Sequence, residues 1–87
     1  MPPKEIRELR VDLDRYAKLA TKGISIEEVR QVVANADHVY RGPRNRPGQR
    51  GQCYFIQSRT DAGRPLKVLV RRFEGGYAKL ITAWEPR

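Results

Sequence analysis

Cysteine, histidine, tryptophan and methionine each occur once in this chain of 87 residues, and that scarcity excludes much chemistry. Cys53 has no second thiol to join, and with His38 alone it cannot complete a zinc set. It sits inside a strand pattern, which reads as a buried free thiol in a reducing compartment, so the cytoplasm is the expected location. No apolar run approaches the ~20 residues of a membrane span, and the N-terminus lacks the apolar core of a signal peptide. No nucleophilic triad, paired-carboxylate site, internal repeat or phosphate-cradling glycine loop can be assembled. No metal or cofactor is expected. A lone His38 beside a strand reads as a solvated or packed residue rather than a general acid or base. With 39% hydrophobic residues, the chain suits one compact domain over residues 1–87.

Acidic residues are also missing, but only from the middle. Residues 1–37 carry seven Lys or Arg against seven Asp or Glu, and residues 73–87 carry two against two. Between them Arg41, Arg44, Arg46, Arg50, Arg59, Arg64, Lys67, Arg71 and Arg72 face the lone Asp61, so the whole net charge of +8 lies there. Eight of the nine are Arg, the residue that grips phosphate bidentately, and this points to a polyanionic partner, a nucleic acid or an acidic protein.

The stretch from Gln52 to Glu85 reads as three consecutive antiparallel strands. Asp61, Ala62 and Gly63 supply the first turn, in a loop of three or four residues that leaves the faces of Tyr54 and Phe55 open. Gly75 and Gly76 suit a two-residue second turn. That register sets Arg72 against Lys79, Val70 against Ile81, Val68 against Ala83 and Lys67 against Trp84. Val68, Val70, Ile81 and Ala83 then form the apolar face that packs on helices. Lys67, Arg71, Thr82 and Trp84 share the other face with Leu69 and Leu80.

Upstream, residues around Ile6 to Val11 read as a short strand, although Pro3 and the spacing of the apolar residues also suit a helix. Asp12 can cap a helix to about Lys22 with a stripe of Leu13, Tyr16, Ala17 and Ala20, stopped by Gly23. Ser25 and Glu28 make a capping box for a second helix from Ile26 to about Asn35, buried through Val29, Val32, Val33 and Ala36. A DNA-binding helix-turn-helix is rejected, because Glu27 and Glu28 would meet phosphates in its first turn. Asp37 to Arg41 predicts a short strand without an evident partner. Arg41 to Gly51 combines four arginines with glycine and proline and reads as an exposed, mobile loop.

These elements in order, with the turn Lys22-Gly-Ile-Ser25, the Glu-Glu-Val helix, the stretch Ser58-Arg-Thr-Asp-Ala-Gly-Arg64 and the closing Ile81-Thr-Ala-Trp-Glu85, resemble the BrnT-type toxins of the RelE-like group. The resemblance covers about Ile6 to Glu85. It implies an α+β domain with two helices on one face of a small antiparallel sheet, ribonuclease activity against RNA, and a cognate antitoxin as partner. Lys22 stands where His is usual in the family, while Cys53 and Trp84 stand where Arg is common. On this reading Arg59 contacts phosphate or the transition state, Lys22 is a second cation, and Arg41, Arg44, Arg46 and Arg50 bind the RNA backbone. Lys67, Arg71 and Trp84 form a stacking and phosphate surface on the sheet. The rival readings are an RNA-binding module without cleavage and an interaction protein that docks an acidic partner.

Overall fold

A computed structural model describes residues 6, 8–36 and 38–86. The expectations at Pro3 and Asp37 fall outside these residues. The elements run β1 (Glu8–Arg10), α1 (Leu13–Thr21), α2 (Ile26–Ala34), β2 (His38–Arg41), β3 (Gln52–Arg59), β4 (Pro65–Arg72) and β5 (Tyr77–Trp84). They build one five-stranded sheet in the order β1-β5-β4-β3-β2. Both helices pack on one face, so the fold class is α+β. The sheet is mixed rather than wholly antiparallel, because β1 lies parallel to β5, pairing Glu8 with Tyr77 and Arg10 with Lys79.

Local chemistry sets the entry of α2 and the exit of α1, while Asp12 stands at the N-cap of α1 without the expected side-chain cap hydrogen bond. The Ser25 hydroxyl accepts from the Glu28 N–H at 3.2 Å while the Glu28 carboxylate accepts from the Ser25 N–H at 3.0 Å, which completes the capping box. Gly23 (φ 71°) ends α1 in the left-handed region. The Gly23 N–H donates to Ala20 O and the Ile24 N–H to Leu19 O, a Schellman stop. Leu19 and Ile24 are both buried in the core beside it. The expected stripe of α1 is displaced. Leu13 is 86% exposed, and the helix rests instead on Leu19, with Val11 and Arg15 half-buried on the same spacing. A helix of only nine residues laid along the β5 end of the sheet needs one anchor, not a full face.

The core is Val29 and Val32 of α2 over Ile56, Leu66, Val68, Val70, Ala78, Leu80 and Ala83 of the sheet, with Leu9 of β1. The first hairpin has a three-residue loop, since the Thr60 N–H donates to Arg64 O across Asp61, Ala62 and Gly63. Tyr54 therefore faces the helices and Phe55 faces away, opposite Leu69. The partner of β2 is β3, with Tyr40 opposite Phe55.

The second hairpin corrects the expected register. Its loop is three residues, Glu74, Gly75 and Gly76, closed by the Phe73 N–H on Tyr77 O. This moves Lys79 from Arg72 to Arg71 and pairs Val70 with Leu80. A bulge at Ile81 then restores the sequence-based pairing, so Leu69 meets Thr82, Val68 meets Ala83 and Lys67 meets Trp84. Leu80, not Ile81, enters the core. The reason is burial: Ala78 and Leu80 occupy the inner face, whereas the unbulged register would turn Lys79 inward.

Candidate nucleic-acid interface

Alternation along the strands leaves the Trp84 end of the second sheet face without a covering layer among the described residues, whereas at the other end Cys53 is buried and Arg71 is held by the loop that follows β2. One row across it is His38, Gln57, Lys67 and Trp84, and the next is Tyr40, Phe55, Leu69 and Thr82. The two rows gather three rings round one ammonium. Lys67 Nζ lies 4.9 Å from the Phe55 centroid, 5.1 Å from Tyr40 and 5.9 Å from Trp84. Tyr40 and Phe55 tilt together at 5.3 Å, and Phe55 meets Trp84 edge-on at 6.1 Å. Tyr40 is 41% exposed, and Phe55, Trp84, Lys67 and Leu69 are half-buried. Rings with accessible faces beside a cation are a platform on which a base can stack while a phosphate is held.

Arg59, at the end of β3, shares this face by alternation with Phe55 and Gln57. It is exposed, and its Nη1 donates to Gly63 O at 3.1 Å. Lys22 comes round from the helical side. Its Nζ donates to Thr82 Oγ1 at 3.1 Å and to Ala83 O at 3.2 Å, on the part of β5 that β1 does not cover. Arg59 and Lys22 thus belong to the same end of the sheet as Trp84.

The other expected cations lie at the opposite end. Arg41 closes β2, and Arg44, Arg46 and Arg50 stand exposed on the loop that returns to Gln52. Along β3 that is seven residue steps from Arg59, about 23 Å of extended strand. The loop is pinned, contrary to the mobile loop expected. Arg71 Nη1 donates to Asn45 Oδ1 at 2.7 Å and to Arg50 O at 3.0 Å, Asn45 Nδ2 donates to Gly51 O, and the Arg46 N–H donates to Gln49 Oε1. Gly51 (φ 79°) is required at the loop's return, because a Cβ there would stand 2.8 Å from Arg72 O. Arg71 therefore spends at least one guanidinium nitrogen holding the loop, a use that its place in a β4 pattern did not announce.

Arg64 takes a separate part. Its Nε donates to Glu85 at 3.0 Å, and its Nη1 donates to Gly23 O at 2.9 Å and to both Glu28 oxygens at 3.0 Å. The Ser25 N–H and the Arg64 guanidinium hold the Glu28 carboxyl below the usual carboxylate range, and the Glu85 and Glu28 carboxylates raise the Arg64 pKa further. It ties the first hairpin to the entry of α2 and the end of β5. Tyr40 and Phe55 were not singled out from sequence as part of the interface. The signal was their positions in short aromatic strands, but pairing β2 with β3 was needed to join them.

Among the described residues, no three His, Cys, Asp or Glu side chains gather as a metal set, and no helix is long and apolar enough to cross a membrane. No curated protein and no solved structure matches the chain. A family model does, described as a domain of unknown function (DUF4258), and it aligns with residues 16–85. That span runs from α1 through the whole of β5 and carries both the aromatic bay and the arginine loop, so this chain belongs to the DUF4258 family.

Proposed function

We propose that this protein is a cytoplasmic ribonuclease toxin of the RelE-like kind, or a derivative of one, that takes single-stranded RNA across the open sheet face. The observation that carries the reading is the Lys67 ammonium ringed by Tyr40, Phe55 and Trp84 on a sheet face with exposed arginines at both ends. Bases stack on the rings, a mode of binding tolerant of sequence, and Arg41, Arg44, Arg46 and Arg50 hold the backbone. Cleavage on this reading is attack of a ribose 2′-oxygen on the adjacent phosphorus. The new O–P bond expels the 5′-oxygen, leaving a 2′,3′-cyclic phosphate and a 5′-hydroxyl, with the 2′-proton passing to water and the 5′-oxygen taking its proton from water. Arg59 cannot act as a base, so its part is to align the phosphate and stabilise the phosphorane charge, with Lys22 as a second cation near the same end. A cognate antitoxin with an acidic segment is the protein partner that would cover such a face.

One observation favours a second reading, an RNA-binding module without cleavage. Arg59 and Lys22 already donate to Gly63, Thr82 and Ala83. Adding single-stranded RNA while following fluorescence and strand integrity separates the two, because Trp84 is the only tryptophan. Quenching with cyclic-phosphate products supports the toxin. Arg59→Ala should then abolish the products while the melting temperature stays within a few degrees. Quenching with intact RNA supports the binding module. Absence of any quenching or binding overturns both.

A further inference from the structure

The shifted register of the second hairpin builds something the expected one does not. With Lys79 opposite Arg71 in β5–β4, and Arg10 opposite Lys79 in β1–β5, three cations stand in one row across three strands. Their neighbours Leu9, Ala78 and Val70 are buried in the core, so alternation places Arg10, Lys79 and Arg71 on the opposite face, with Arg10 and Lys79 exposed and Arg71 half-buried against the loop it pins. The row spans two interstrand spacings, about 10 Å. Like charges directly opposite one another destabilise a sheet, and Glu8 is the one acid bonded to the row among the described residues, through Arg10 Nε at 2.9 Å. Arg10 Cζ also lies over the Tyr77 ring at 4.0 Å from its centroid, and Tyr77 stacks with Phe73 at 5.0 Å. Lys79 is exposed and makes no ion pair among the described residues.

We propose that Arg10, Lys79 and Arg71 form a phosphate-binding row that extends the RNA path from the aromatic bay to the β1 edge, an inference that rests on the open face being an RNA surface. Arg10 lies outside the residues shared with the family, so this extension belongs to β1 of this chain. From Lys67 to Arg71 is four residue steps of β4, about 13 Å. At about 3.4 Å per stacked nucleotide, a dinucleotide seated on Trp84 falls short of the row and an octanucleotide reaches it.

The test compares the wild type with the double variant Arg10→Ala, Lys79→Ala, leaving Arg71 in place because it pins the loop. Trp84 fluorescence is titrated with a two-nucleotide and an eight-nucleotide oligouridylate over a range of salt. The double variant should bind the octamer about tenfold more weakly, with a salt slope flatter by up to about 1.4 log units for two single-strand phosphates no longer neutralised. Dinucleotide binding should be unchanged, and the melting temperature of the free protein should stay within a few degrees, since loss of the exposed Arg10–Glu8 pair is offset by relief of the repulsive row. An unchanged octamer affinity and slope, with Trp84 still quenched, overturns the row and leaves the RNA reading standing. If neither oligomer binds, the RNA reading falls and tripolyphosphate decides the row. Thermal protection that disappears in the double variant supports an anion site there, and protection that persists or never occurs overturns it.

Discussion

At the scale of single residues, Arg64 and Arg59 are neighbours in the same short motif and yet serve different ends. Arg59 projects from a strand end with one bond to its own hairpin loop, whereas Arg64 is occupied by Glu28, Glu85 and a carbonyl of the α1–α2 turn. Nothing in the spacing of two arginines five positions apart separates these fates, because the acids that claim Arg64 come from distant parts of the chain. The Lys67–Trp84 pair was reached from a two-residue turn that the hairpin does not have, and it holds because the bulge in β5 offsets the longer loop. The completion of the ring by Tyr40 and Phe55 was not legible, since the partner of β2 and the faces of β3 stayed open. The Glu28 contacts carry a pH signature. Its carboxyl is lowered in the folded state, first by the Ser25 N–H and then by Arg64, so the unfolded chain takes up this proton more readily. The contribution is fully present above the usual carboxylate range and is lost as pH falls through the folded-state value. Glu28→Gln should therefore lower the melting temperature by a few degrees at pH 7 and by progressively less in acid. Melting curves of the two proteins between pH 7 and pH 3 check this, and a constant gap across the series would count against it.

At the scale of elements, the second helix was readable because its signals are local: Ser25, Glu28 and the valine stripe lie within three turns of one another. The first helix was misread on its buried side because Leu13, Tyr16, Ala17 and Ala20 make an acceptable stripe that the sheet does not meet. The bulge of β5 did leave a trace. Ala78 and Leu80 keep one phase and Ala83 the other, and that break between Leu80 and Ile81 is what an extra residue in a strand looks like. The arginine loop was recognised by composition, but its tether depends on a side chain from β4. Arg71→Ala should free it. Hydrogen exchange of the loop amides between Arg44 and Arg50 should quicken by about tenfold while the core strands keep their protection. Unchanged exchange would mean that Asn45 and the turn at Gln49 suffice to hold it.

At the scale of the whole molecule, the sequence already located the excess charge in residues 38–72 but not the side on which it acts. Folding sends Arg64 into ion pairs and presents the loop arginines, Arg59 and Lys67 together with the open face, which the parallel edge strand then enlarges. The collective effect is measurable. Replacing Arg44, Arg46 and Arg50 by Ala should weaken RNA binding and flatten its salt dependence by up to about 2 log units per log salt, at ~0.7 for each single-strand phosphate no longer neutralised. An unaltered slope would remove the loop from the interface. The same edge strand sets an order in time. β1 emerges from the ribosome before every other element, yet its partner β5 emerges after all of them. Pairing the two closes the longest loop in the fold, the kind of pairing that forms late. Arg10 therefore joins Lys79 only once β5 has emerged. A nascent chain carries the arginine loop before the row of Arg10 and Lys79 exists, so that row is completed by the final docking step rather than during elongation.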